Sequence, residues 1–275
     1  MTYETEPILL DLSLARELEM AEAQAAVACA TQVTAKQPSS IAAVQPLAGG
    51  YAIFCGAGNP ITQAVGLGLH GPVSAADFDA LESFYFSREE PVRVETCPLA
   101  DPTLFSFYKE RKYFVSEFSN VMVRRVHRDG PFSTGHAIDI RLAPPEELDL
   151  WVMTVAQGFA ENYPVTQELL NVMKMFATSP STECYLARIE GRVVGGATLA
   201  VHGTIAGLFG ASTLPDFRKR GVQTALLHFR LLRAADSGCT FAMSLAQPGS
   251  ASQRNITRFG FHTLYTRLKF EKAPS

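Results

Sequence analysis

The sequence predicts an α/β (α+β) fold used twice, each copy a mixed, mostly antiparallel twisted sheet flanked by helices. Three observations carry this expectation. The chain has 275 residues, and at roughly 150 residues per domain that length implies two domains. Each half runs through short strands and then alternates strands with helices, the pattern of a mixed sheet covered by helices. Near the end of each half a helix also runs into an aromatic and then a strand, in Tyr108-Lys-Glu-Arg-Lys-Tyr113-Phe and in Ile256-Thr-Arg-Phe-Gly-Phe261-His.

The elements follow in order. Residues Asp11–Ala30 read as a helix, with Leu14, Leu18, Ala21, Ala25 and Ala28 on one face and Glu17, Glu19 and Glu22 mostly off it. Strand-like runs follow at Ile41–Gln45, Tyr51–Cys55 and Ile61–Leu69. Ser74 opens an S-x-x-D cap before a helix to Phe86. A strand at Val92–Thr96, a helix from Pro102 to Arg111 and a strand pair across Tyr113–Arg125 complete the half. His127–Gly135 reads as a linker. The pattern then restarts with a strand at His136–Arg141 and helices at Pro144–Ala160 and Val165–Ala177. Strands at Cys184–Ile189, Val193–Val201 and Ile205–Ser212 turn at Glu190-Gly191 and His202-Gly203. A helix over Gly221–Asp236, a strand at Thr240–Leu245, a helix at Ser250–Phe259 and a strand at His262–Phe270 close the chain. The domains expected are 1–128 and 129–275.

Composition excludes several classes. Hydrophobic residues make up 47% and charged residues 19%, which excludes a mainly disordered chain, a coiled coil and a collagen-like fibre. The net charge of −3 provides no global basic field for nucleic acid or anionic lipid. Two long uncharged stretches, Gln37–Ala76 and Val193–Pro215, are punctuated by Gly and Pro and read as strands and turns, so no membrane span is expected. Met1–Pro7 contains acidic residues and no apolar core of a secretory signal. Five scattered cysteines (Cys29, Cys55, Cys97, Cys184, Cys239) fit reduced thiols and a cytoplasmic location, with no metal site.

The chemistry concentrates in Thr213-Leu-Pro-Asp-Phe-Arg218-Lys-Arg220-Gly221-Val-Gln223-Thr-Ala225-Leu-Leu, which follows a strand and opens a helix. Unpaired amides at a helix start, the positive end of its dipole and three cations make an anion site. Gly221 lets the backbone approach a phosphate closely. No GxxxxGK[ST] is present, so this is not a nucleotide-triphosphate loop. Gly66-Leu-Gly68-Leu-His-Gly71 spells a dinucleotide fingerprint, but Pro72 follows it and the helix begins only after Ser74.

Arg218-Lys-Arg-Gly221-Val-Gln223 is similar to the [RQ]-x-x-G-x-[GA] motif of the GNAT superfamily of acyl-CoA-dependent N-acyltransferases, with Gln223 in place of the second small residue. Leu214-Pro215 before the loop and Arg254-Asn255-Ile-Thr-Arg-Phe-Gly260-Phe261 after it add to the resemblance, which covers Cys184–Phe270 most closely. The first half resembles the same fold with the loop erased.

The resemblance implies two GNAT-like domains in tandem, only the second competent for acetyl-CoA, with coenzyme A as product. It places the pyrophosphate on the amides of Arg218, Lys219, Arg220, Gly221, Val222, Gln223 and Thr224, the pantetheine arm along Ala211, Ser212 and Thr213, and Asn255 at the cofactor. The reaction implied is transfer of an acetyl or other short acyl group to a primary amine by direct attack in a ternary complex, the acceptor being a small molecule or a peptide. The family's thiolate-protonating tyrosine position is Ile256 here, so Tyr265 and His262 on the last strand are the candidate catalytic groups. His202, a water chain or a substrate group would have to act as base. The alternative is a catalytically silent CoA-binding sensor or scaffold. A homodimer stays open.

Overall fold

The computed structural model describes residues 7–36, 42–128, 137–160 and 163–274. In chain order it comprises α1 (Leu12–Lys36), β1 (Ala43–Leu47), β2 (Gly50–Phe54), β3 (Gln63–Val65), α2 (Ala75–Phe86), β4 (Val92–Thr96), α3 (Pro102–Glu110) and β5 (Phe114–Arg125). There follow β6 (Ile138–Leu142), α4 (Leu148–Ala160), α5 (Gln167–Thr178), β7 (Thr182–Ile189), β8 (Arg192–His202), β9 (Ile205–Thr213), α6 (Val222–Asp236), β10 (Phe241–Ala246), α7 (Ala251–Thr257) and β11 (His262–Lys272).

These form two compact units, Met1–Arg124 with Leu245–Ser275, and Arg125–Ser244. The chain therefore crosses from one unit to the other near the expected boundary at residue 128. Its last segment, expected with the second domain, belongs instead to the first unit. Two smaller readings also change. Tyr113–Arg125 forms one long strand and not a strand pair, and the strand expected over Ile61–Leu69 shortens to Gln63–Val65 because positive-φ turns at Gly66 and Gly68 end it. The expected linker falls mostly outside the described residues, as does His136.

In the first unit the strand order is β1-β2-β3-β4-β11-β5. β3 and β4 are parallel, and the other neighbours are antiparallel. Alternation along β2 decides what covers each face. Ile53 packs with Ala26 and Ala30 of α1, while Ala52 and Phe54 join Phe78, Leu81 and Tyr85 of α2. The aromatic residues of this half build that second core, with Tyr108 stacked on Phe270 at 4.0 Å between centroids. The cap read at Ser74 is present: Ser74 Oγ accepts from the amide of Asp77, and the Asp77 carboxylate accepts from the amide of Ser74.

Helix α1 differs from its sequence reading in one respect. Glu19, placed off the apolar face, is fully buried and receives hydrogen bonds from Tyr265 Oη (2.8 Å) and Arg267 Nε (2.7 Å) of β11. Arg267 also pairs with Glu22, and Lys269 with Glu95 at 3.1 Å. A single-face apolar count misses such a residue because its partners are supplied by a strand far along the chain.

In the second unit the order is β10-β9-β8-β7-β6, with β9 and β10 parallel and the rest antiparallel. Two adjacent glycines of β8 let helices close on both faces. A Cβ on Gly196 would lie 2.9 Å from Trp151 Nε1 of α4, and one on Gly195 would lie 3.1 Å from Val222 Cγ1 of α6. Because successive side chains leave a strand on opposite faces, α4 and α6 cover opposite sides of this sheet.

Candidate functional site

The site is built where β9 leaves the sheet of the second unit. The parallel pairing of β9 with β10 ends at Gly207 opposite Met243, while β9 runs on to Thr213. One residue further on the link is made by a side chain, Ser244 Oγ donating to Leu208 O at 3.0 Å. On its other edge, the register with β8 slips between Thr198↔Phe209 and Gly196↔Ser212. Three steps of β9 thus face two of β8, a bulge that turns backbone groups out of the ladder. Gly210 supplies its positive φ of +56°.

A buried cation secures this bulge. Arg230 of α6 donates from Nη1 to the carbonyl of Thr198 (2.9 Å) and to that of Phe209 (3.4 Å), and Thr198 Oγ1 donates to Phe209 O. Burial pulls the Arg230 pKa down to about 10, which leaves it protonated at neutral pH. Sequence reasoning missed this residue, since an arginine inside a helix carries no sign of facing a sheet carbonyl.

Beyond the bulge the chain enters the basic loop. Leu214 N donates to Val194 O (2.9 Å), which fixes the loop beside the start of β8. Pro215–Phe217 form one 3₁₀ turn, and Lys219 and Gly221 take positive φ of 63° and 82°. Helix α6 starts at Val222, and its first backbone bond is Ala225 N to Gly221 O (2.9 Å). The amides of Val222, Gln223 and Thr224 precede that bond and have no intrahelical acceptor. No side chain caps this end.

The structure divides the expected cofactor residues by role. Arg218 folds back, Nη2 donating to Gly158 O at 2.9 Å and Nε to Thr213 O at 3.5 Å, so its cation braces the C-terminal turn of α4. Its amide bonds Pro215 O (3.2 Å), so the receiving amides begin after it and not at Arg218. Lys219 and Arg220 are exposed. Ser212 Oγ donates to Val155 O (2.9 Å), and Gln223 Nε2 donates to Thr213 Oγ1 (3.1 Å). The side chains of Ser212 and Thr213 are therefore engaged within the second unit. Gln223 is tolerated where the family motif has a small residue because its side chain turns back onto β9. Arg192, at the start of β8, joins the loop with its guanidinium 4.9 Å from the Phe217 ring centroid.

Three of the other expected groups belong to the first unit. Asn255 is exposed on α7, and His262 is exposed at the start of β11, both in the first unit. Tyr265 is buried there, its hydroxyl committed to Glu19 and its pKa raised by burial and by that carboxylate. A phenol so held is part of the first unit's core. His202 ends β8 opposite Ile205, at the far end of β9 from Thr213. At about 3.3 Å per residue that is roughly 26 Å away, too far to serve as a base for this site.

The first unit treats its corresponding helix start differently. The Gly66–Gly71 loop spends its groups internally, Gly68 N donating to Ala48 O (3.0 Å) and Arg16 Nε donating to Leu69 O (2.8 Å). Helix α2 starts only at Ala75 and is closed by Ser74 and Asp77, so the dinucleotide spelling has no matching helix start.

Fold and site together define a mixed-sheet protein in two copies, the second of which has a glycine helix start without a side-chain cap. Residues 150–261 match the model of the Acetyltransferase (GNAT) family. A GCN5-related N-acetyltransferase from Kribbella flavida is similar in structure, with TM-score 0.63 and 15% identity over 91% of this chain and 96% of that one. A tandem GNAT protein from the clavulanic acid biosynthesis pathway is similar with TM-score 0.57 and 10% identity over 96% and 95% of the two chains. At these identities the likeness establishes the fold, two domains included. No curated protein sequence matches the chain. Among the described residues no helix is long and apolar enough to cross a membrane.

Proposed function

We propose that the second unit binds acetyl-CoA, or another short acyl-CoA, and that the protein transfers the acyl group to a primary amine by direct attack in a ternary complex. The observation that carries this reading is the bulged strand β9 running into a helix whose glycine start has no side-chain cap. The amides from Lys219 to Thr224 would hold the pyrophosphate, and the backbone of Ala211–Thr213 would hold the pantetheine arm. Acyl-CoA supplies the activated thioester. The chain's part is to orient that group with strand amides facing its carbonyl oxygen, where negative charge develops on attack. Neither β9 nor β10 carries a carboxylate, so the amine's proton leaves through water or an acceptor-side group. The first unit, closed by Asp77 at its helix start, is assigned no cofactor. The acceptor, a small molecule or a peptide, and a cytoplasmic site of action belong to the same reading.

Calorimetric titration of acetyl-CoA tests it. Wild type should bind in the micromolar range and Gly221→Glu not at all, because a carboxylate there fills the cradle and repels phosphate. Gly221→Ala separates the backbone strain at φ +82° from the charge. Absence of heat with folded wild type refutes the reading.

The placement of Tyr265 in the first unit's core favours a second reading, a CoA-binding sensor without turnover. Tight binding with no free thiol released across a panel of amines would establish it.

A further inference from the structure

We infer that Arg192 and Arg220, stacked over Phe217, form a seat for the terminal phosphate monoester of coenzyme A, so that the site selects CoA over 3′-dephospho-CoA. This rests on the cofactor reading above and deepens it. Two guanidiniums converge on one ring, Arg192 at 4.9 Å and Arg220 at 5.1 Å from the Phe217 centroid. They come from separate segments, the first residue of β8 and the loop before α6, joined by the Leu214 N to Val194 O bond. Both are exposed, and neither forms an ion pair among the described residues, although Glu190 and Asp216 lie close in sequence. Like charges gathered on one ring repel, and a doubly charged phosphate relieves that repulsion. A guanidinium lying over an aromatic face keeps its N–H edge free for two parallel bonds to phosphate oxygens. The α6 amides are occupied by the pyrophosphate in this scheme, so the monoester needs a seat of its own. Arg218 does not provide it, since its side chain is bound to Gly158 and Thr213 carbonyls.

The test compares CoA with 3′-dephospho-CoA by calorimetry on wild type, Arg192→Ala, Phe217→Leu and Arg141→Ala. Arg141 is an exposed arginine on β6 paired with Asp139 and serves as the control for net charge. Wild type should bind CoA about tenfold or more tightly than dephospho-CoA, the range of charge-assisted hydrogen bonds at an exposed site. In Arg192→Ala that ratio should fall to about twofold, with dephospho-CoA affinity unchanged within about twofold. Phe217→Leu should also lower the ratio, and Arg141→Ala should leave it intact. Equal wild-type affinities for the two ligands overturn this inference and leave the cofactor reading standing. So does a loss in Arg192→Ala that is the same for both ligands, or an equal loss in Arg141→Ala. Failure of wild type to bind either ligand overturns both readings together.

Discussion

Gly158 lies in α4 where the helix crosses the end of β9, and a methyl group there has no room. An added Cβ would sit 2.3 Å from Ser212 Oγ, 2.7 Å from Ser212 Cβ and 3.1 Å from Thr213 N. Gly158→Ala must therefore expel the Ser212 side chain or lift the helix. The first route breaks the Ser212 Oγ bond to Val155 O (2.9 Å), a loss of about 1 kcal/mol, and overpacking adds about 1–3 kcal/mol. Alanine's better helix propensity returns up to about 1 kcal/mol, so the net loss is about 1–3 kcal/mol. The chain's one tryptophan, Trp151, is fully buried in the second unit, so its fluorescence during urea unfolding reports on that unit. The midpoint should fall in Gly158→Ala, and the double variant Gly158→Ala/Ser212→Gly should recover more than the sum of the singles allows. Lifting α4 also pulls Gly158 O from Arg218, so CoA affinity should fall alongside stability. A Gly158→Ala midpoint equal to wild type, or strictly additive singles, would refute the close-approach argument.

Three further outcomes are expected. Arg230→Met removes the guanidinium donor from the carbonyl of Thr198 and leaves that of Phe209 to Thr198 Oγ1, and should cost about 2–4 kcal/mol by Trp151 fluorescence; Arg230→Lys, unable to reach both carbonyls, should recover only part of it. In the first unit, burial raises the Glu19 pKa despite the attraction of Arg267, and repulsion from Glu22 adds to the rise. A carboxyl whose folded pKa is raised contributes stability present below its ordinary value and lost as pH rises through the folded one, so Tm should be higher at mildly acidic pH than at neutral pH, and Glu19→Gln should flatten that slope. Ser74→Ala removes the α2 cap and should cost about 1 kcal/mol, seen as faster amide exchange in α2, with CoA binding unchanged.

Much of the second unit was legible because its signals are local. Loop, glycine start and helix fall within a dozen residues of sequence, and the uncharged run through the glycine pair of β8 and into β9 reads directly as strands and turns. The Ser74 cap was legible for the same reason. What stayed hidden depends on partners distant in sequence. The residues of β11 alternate Tyr265, Arg267, Lys269 on a single face, and a terminal strand with buried charge implies carboxylates to receive it. Those carboxylates are Glu19 and Glu22 on α1 and Glu95 on β4, which is why β11 pairs with β4 and β5 of the first unit. A similar remoteness hid Arg192, which approaches Phe217 only through the bond from Leu214 to Val194.

The two helix starts differ in how their first amides are satisfied. At α6 the N-terminal amides have no side-chain cap, and the loop before them carries Lys219 and Arg220. At α2 the carboxylate of Asp77 and the hydroxyl of Ser74 occupy the equivalent place, supplying internally the negative charge that the dipole favours. An internal carboxylate needs no ligand and costs no association entropy, so the cap of α2 is complete within the chain, whereas the start of α6 has no side-chain cap. Under the proposed function the asymmetry also bears on stability, because the first turn of α6 would gain stability from an anion bound there, while the cap of α2 is already made within the chain. An increase in protection of the first turn of α6 on addition of CoA, with α2 unaffected, is the consequence that hydrogen exchange can read; equal protection of both helices would place the anion somewhere other than the start of α6.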